Sequence, residues 1–194
     1  AHVLEDMEGR IPMILDGGET DVGVESTVLD MTGEVPVILR PGGVTPEMLT
    51  RVVGPVRIDP HVMTPLREGQ RAKSPGMKYT HYAPKAPITI VRGGDLDKLA
   101  RFIDTEARRQ RQAGKHVGIL ATDQTVGKYT GGIPLTMGSR SRPAQLAANL
   151  FARLREFDRL GVDMILAEGV DDHEEGLAVM NRMTRAAGFH IIDI

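Results

Sequence analysis

From residue 88 to the end of the chain, short apolar runs alternate with stretches of helical spacing. The runs ITIVRG (88–93), HVGILAT (116–122), GGIPLTMGS (131–139), VDMILAEG (162–169) and HIIDI (190–194) predict strands. Between them, Leu96, Leu99, Ile103 and Ala107 fall on one face of a helix that Asp95 caps and Gly114 stops. Leu146, Leu150, Leu154 and Phe157 mark the strongest helix, over 141–160, with Gly161 closing it, and GLAVMNRMTRAAG (176–188) predicts another. Strands alternating with helices imply parallel crossover units and a three-layer α/β domain.

The first third has a different rhythm. Residues 1–15 read as the end of a helix, a stop at Gly9 and a short strand IPMILD (11–16). In GVESTVLDM (23–31), Val24, Ser26, Val28 and Asp30 share one strand face, and Glu25, Thr27, Leu29 and Met31 share the other. TGEVP (32–36) predicts a turn, and VPVILRPGG (35–43) a second strand ending at Arg40, so the two form a hairpin. Thr45 then caps a helix with Pro46 in its first turn, an apolar face of Met48, Leu49, Val52 and Val53, and a stop at Gly54. From Val56 to Pro87 periodicity is lost, and Pro60, Pro65, Pro75, Pro84 and Pro87 forbid a continuous helix. A linker of that length in a compact domain is functional or mobile.

Composition narrows the classes. At 194 residues, 41% hydrophobic and 26% charged, the chain has the make-up of a folded globular protein, and it lacks the apolar run of about 18 residues that a membrane span needs. A cytoplasmic location is expected. The absence of cysteine removes disulfides, thiolate metal sites and a Cys nucleophile together. The chain opens on Ala1 and enters without a start signal, which reads as a fragment or a processed chain.

Net charge of −2 hides an acidic opening, and a basic segment in which Arg67, Arg71, Lys73, Lys78 and Lys85 face only Glu68. That segment also carries Tyr79, His81 and Tyr82, which suits an anionic ligand as well as it suits a solvated linker.

Four further places carry polar or charged side chains in suggestive patterns. RGGDL (92–96) lacks dinucleotide-loop spacing and reads as a tight turn into a capped helix. DDHEE (171–175) reads as a solvated acidic loop rather than a metal site. Asn181 and Arg182 read as helix-flank polar residues. Ser26, Thr27 and Arg40 are better material: a guanidinium at a strand end, before glycines that let a ligand approach, suits a phosphate or a carboxylate. An ordinary strand serine and a surface arginine remain the alternative.

The segments DGGETDVGVESTVLDMTGEVPVILRPGGVTPEML, SPGMKYTHYAPKAP, MGSRSRPAQLAANLFARLREFDRLGVDMILAEG and GLAVMNRM, in that order, closely resemble the two-domain form of threonylcarbamoyl-adenylate synthase. The resemblance implies the C-terminal part of a YrdC-like catalytic α/β domain over 1–58, an extended linker over 59–87, and a Rossmann-like three-layer domain over 88–194. It implies joining L-threonine, bicarbonate and ATP into threonylcarbamoyl-AMP and pyrophosphate, with Mg2+, for the threonylcarbamoyladenosine modification of tRNA. Ser26 resembles the serine that contacts threonine, Arg40 the arginine that contacts ATP phosphates, and His81 the linker residue that closes over the nucleotide, with Tyr79 as its neighbour. In an extended linker Tyr79 and His81 point the same way.

No side chain of this chain is assigned as catalytic or as a metal ligand. The early Lys-x-Arg motif that grips the triphosphate in that family, and its later Ser-x-Asn motif, do not occur before DGGETDVGVESTV. The implied partners are therefore the missing N-terminal part of the catalytic domain and downstream tRNA-modification proteins, with no membrane and no direct nucleic-acid binding. The alternative is a non-catalytic nucleotide- or RNA-binding regulatory module. The acidic balance and the lack of Trp disfavour RNA.

Overall fold

In a computed structural model, residues 2–18, 22–66, 69–70, 72–74 and 83–194 are described; Tyr79, His81 and Tyr82 lie outside them. The chain begins with helix α1 (His2–Met7), and the expected strand over 11–16 does not form. A strand exists only through a ladder to a neighbour. Met13 and Leu15, 72% and 89% exposed, meet no such neighbour among the described residues.

The hairpin is present as β1 (Val28–Asp30) against antiparallel β2 (Val37–Arg40). β1 is shorter than the sequence pattern because the chain before it leaves the ladder to pack elsewhere, with Gly23 at φ +68°. Helix α2 (Pro46–Val53) has the expected cap, Thr45 Oγ1 accepting from the Met48 amide at 3.3 Å. Its apolar face is not buried as expected: no α2 residue is, and Val52 is 83% exposed.

The interval expected to be irregular from 56 opens with β3 (Arg57–Ile58), which runs parallel to β2, and with a 3-10 turn over Pro60–Val62. Two residues are too few to show a period, so this strand left no mark on the sequence pattern.

The second part follows the sequence pattern. The strands are β4 (Ile88–Arg92), β5 (Val117–Ala121), β6 (Ile133–Thr136), β7 (Met164–Glu168) and β8 (Ile191–Asp193). The helices are α3 (Leu96–Gln112), α4 (Pro143–Leu160) and α5 (Glu175–Ala186). The strands form one parallel sheet in the order β6-β5-β7-β4-β8. Helices α4 and α5 bury Leu146, Leu150, Leu154, Phe157, Val179 and Met183 in one core; α3 buries Leu99, Ile103 and Ala107 in a second core with Val91, Ile119 and Leu166. These are the three layers. Among the described residues no helix is long and apolar enough to cross a membrane.

The two parts share a boundary. Val24 and Met63 pack against the α4–α5 core. Arg155 of α4 reaches Asp6 of α1 at 2.6 Å, and the Lys85 amide donates to Asp158 of α4 at 2.7 Å.

A tight joint in the sheet is Gly118 under Phe157, where a Cβ would lie 2.6 Å from the ring. Gly118→Ala is expected to destabilise by about 1–3 kcal/mol through overpacking. Phe157→Ala is expected to cost about 3–5 kcal/mol through the cavity it leaves. Urea unfolding of each variant measures both, and wild-type midpoints would remove this joint from the account.

Candidate functional site

The candidate residues Ser26 and Arg40 come together at the open end of the hairpin. Arg40 donates from Nε to the Ser26 carbonyl at 3.0 Å and from Nη2 to Ser26 Oγ at 3.2 Å. A one-residue slip in the ladder makes this possible. Leu29 pairs with Ile38 and Asp30 with Val37, which in a regular ladder would set Arg40 opposite Thr27. The register instead shifts between Val28 and Leu29, and Arg40 sits opposite Val28. By two-residue alternation that is the face of Ser26. Nothing in the amino-acid pattern announces the slip.

Glycines and a hydroxyl close the surroundings. A Cβ on Gly42 would meet the Glu25 carbonyl at 2.3 Å and the Thr27 amide at 2.5 Å, and one on Gly23 would meet Ala148 Cα of α4 at 2.3 Å. Only glycine permits either approach. Thr27 Oγ1 donates to the Val44 carbonyl at 2.6 Å, so Thr27 serves the turn while Ser26 keeps an exposed hydroxyl.

Behind the pair lies a charge balance that sequence reasoning missed. Asn181 and Arg182, expected on a helix flank, are 4% and 7% exposed. Arg182 Nε donates to Glu25 Oε2 at 2.5 Å and Nη2 to the Pro41 carbonyl at 3.1 Å. Burial would raise the Glu25 carboxyl, but the Arg182 hydrogen bond and charge, with Arg40 adding to them, hold it below its usual range. Among the described residues, Arg40 itself pairs with no carboxylate. It remains a cation beside a hydroxyl, which suits a carboxylate or a phosphate.

The same donor set does not suit a magnesium ion, since a guanidinium repels a second cation and the adjacent carboxylate is committed to Arg182. The described residues hold one cluster of three ligating side chains, Asp171, Asp172 and His173, on the exposed loop after β7. A short open hollow of about 680 Å³ beside the hairpin is lined by Asp30, Thr32, Leu39, Ala72 and Lys73. The expected contacts Tyr79 and His81 lie outside the described residues.

A second polar cluster sits at the carboxyl ends of β5 and β7. Glu168, fully buried, accepts from Thr122 Oγ1 at 2.8 Å, Tyr129 OH at 2.5 Å, Arg140 Nη2 at 2.8 Å and also from Thr125 Oγ1. Its carboxylate is fully engaged, and the cluster fastens the loops at this edge of the sheet. RGGDL is the capped turn expected of it, with Asp95 accepting from the Asp97 and Lys98 amides.

A family described as threonylcarbamoyl-AMP synthase, C-terminal domain, matches residues 44–188, and one described as telomere recombination matches residues 1–42. The threonylcarbamoyl-AMP synthase of Pyrococcus abyssi is 45% identical over 193 residues, covering 100% of this chain and 54% of that protein. That of Bacillus subtilis is 42% identical over 191 residues, covering 98% of this chain and 53% of that protein. The chain thus spans about half the length of the curated relatives it matches. The crystal structure of P. abyssi Sua5 complexed with L-threonine superposes with a TM-score of 0.88 at 46% identity, covering 100% of this chain and 54% of that one.

The Glu168 cluster carries a pH signature. Burial, and after it the charge and hydrogen bond of Glu168, push the Tyr129 hydroxyl far above its usual pKa. The folded protein keeps this proton while the unfolded chain loses it near pH 10. The stability it contributes is therefore present below about pH 10 and lost as pH rises further. Tyr129→Phe is expected to cost about 1–3 kcal/mol near neutral pH and to flatten the fall in Tm above about pH 10. An unchanged alkaline slope would show that Tyr129 does not govern it.

Proposed function

The chain belongs to the threonylcarbamoyl-AMP synthase family, and from that premise we propose that the whole protein containing it joins L-threonine, bicarbonate and ATP into threonylcarbamoyl-AMP and pyrophosphate. Residues 1–58 would close a YrdC-like catalytic domain whose remainder lies upstream, 59–87 would be the linker that reaches over the site, and 88–194 the Rossmann-like domain. The product would serve tRNA-modifying proteins in the cytoplasm, and magnesium would enter with the ATP phosphates.

In this reading a threonine carbamate oxygen attacks the α-phosphorus of ATP. The O–P bond forms, the bond from the α-phosphorus to the bridging oxygen breaks, and pyrophosphate leaves. Placement and charge neutralisation drive the step, with no covalent nucleophile from the chain. Ser26 would meet threonine, Arg40 the ATP phosphates, and Tyr79 and His81 the nucleotide from the linker. The observation that carries the reading is the bonded Ser26–Arg40 pair, a cation with no carboxylate partner among the described residues beside an exposed hydroxyl, within a chain of this family.

Pyrophosphate release from ATP, dependent on both threonine and bicarbonate, tests it in the full-length protein. This 194-residue chain by itself is expected to release none, because several placed cations must act on the triphosphate at once. Arg40→Ala in the full-length protein is expected to lower kcat/KM for ATP by about 1.5–3 kcal/mol with its Tm kept. An unaltered rate would return Arg40 to the role of an ordinary surface arginine.

A further inference from the structure

The Ser26–Arg40 pair is poorly held by its own strands. Ser26 precedes β1, outside any ladder, and Arg40 is the last residue of a four-residue strand. A pair meant to receive a ligand needs firmer placement than that. The placement comes from the other part of the molecule. On α5 the Arg182 guanidinium bonds Glu25 through Nε and the Pro41 carbonyl through Nη2, at 2.5 and 3.1 Å. These are the residue immediately before Ser26 and the residue immediately after Arg40. The third arm, Nη1, bonds Asn181 Oδ1, whose amide nitrogen in turn holds the Val62 carbonyl.

We propose that Arg182 is a positioning residue for the Ser26–Arg40 pair, fixing it from the α/β domain through Glu25 and Pro41. The proposal rests on the reading of that pair as a threonine and ATP site. Three features favour the role over simple docking. The two bonds straddle the pair rather than falling elsewhere along the hairpin. Gly42 lets the two tethered segments touch backbone to backbone, so a shift in one is passed to the other. By engaging Glu25, Arg182 also occupies a carboxylate that lies within reach of the Arg40 charge and leaves the Arg40 cation for an anion. Lysine could keep the charge but not span both acceptors, because the planar fork is what reaches them together.

Arg185 supplies the control. It also ties α5 to the first part of the chain, donating from Nη2 to the His61 carbonyl at 2.6 Å, and among the described residues it bonds neither Glu25 nor Pro41. In the full-length protein, Arg182→Lys and Arg185→Lys are compared for threonine affinity by calorimetry and for hydrogen exchange of peptides covering 23–30 and 38–45. Arg182→Lys is expected to weaken threonine binding by about tenfold and to speed exchange in both peptides, while Arg185→Lys stays within about twofold of wild type in each. Equal effects of the two variants, or none from Arg182→Lys, overturn the proposal. Should the unaltered protein fail to bind threonine, the reading of function falls separately, and the exchange comparison still decides whether Arg182 holds the pair.

Discussion

A guanidinium taken almost wholly out of water must find partners for its donors, and Arg182 finds them on both sides of the hairpin end. Much else is arranged around that requirement. Glu25 gives up its carboxylate to Arg182, Pro41 turns its carbonyl inward, and Gly42 and Gly23 omit the side chains that would hold the segments apart. Arg40 is left uncommitted to any carboxylate among the described residues and settles on Ser26. The local chemistry of the site thus follows from where one buried cation on α5 is anchored.

The α/β domain gives that anchor its rigidity. Helix α5 buries every residue from Gly176 to Thr184 against the sheet and its neighbours, so Arg182 departs from a backbone with little freedom to move. Parallel strands covered on both faces make a stiff platform. The Glu168 cluster pins the loops at the carboxyl edge of that platform, and Phe157 packs directly on Gly118 within it. On the proposed reading, the five-stranded parallel sheet serves as a support for a site assembled largely from another part of the protein. This differs from the common case in which such a sheet carries its own ligand at the strand ends.

Most of the second part was legible because its periods are long and its punctuation is strong. The α4 stripe of Leu146, Leu150, Leu154 and Phe157 runs through several turns and ends on Gly161 in the left-handed conformation, and it is buried as the spacing requires. The first part was legible where turn chemistry spoke, at the Thr45 cap and the hairpin. It misled where apolar residues such as Met13, Leu15 and Val52 lack a covering surface among the described residues, since periodicity reports the ability to be buried and not the presence of a partner. The sequence singled out Ser26 and Arg40 as candidates, but the ladder slip that joins them is a matter of register. Arg182 was passed over because a buried arginine and an exposed one look alike in sequence; its cue was its place in a helix whose neighbours Val179, Met180 and Met183 are all apolar.

The central claim is that Glu25 and Arg182 act as one unit in fixing the site, and a double-mutant cycle measures that directly. Threonine affinity is determined for the full-length protein, Glu25→Gln, Arg182→Lys and the double variant. Residues that work through a shared bond give a coupling of about 0.5–3 kcal/mol, with the double variant losing less than the sum of the two single losses. Strictly additive losses would contradict the account, because they would mean that each side chain affects the site by a route of its own.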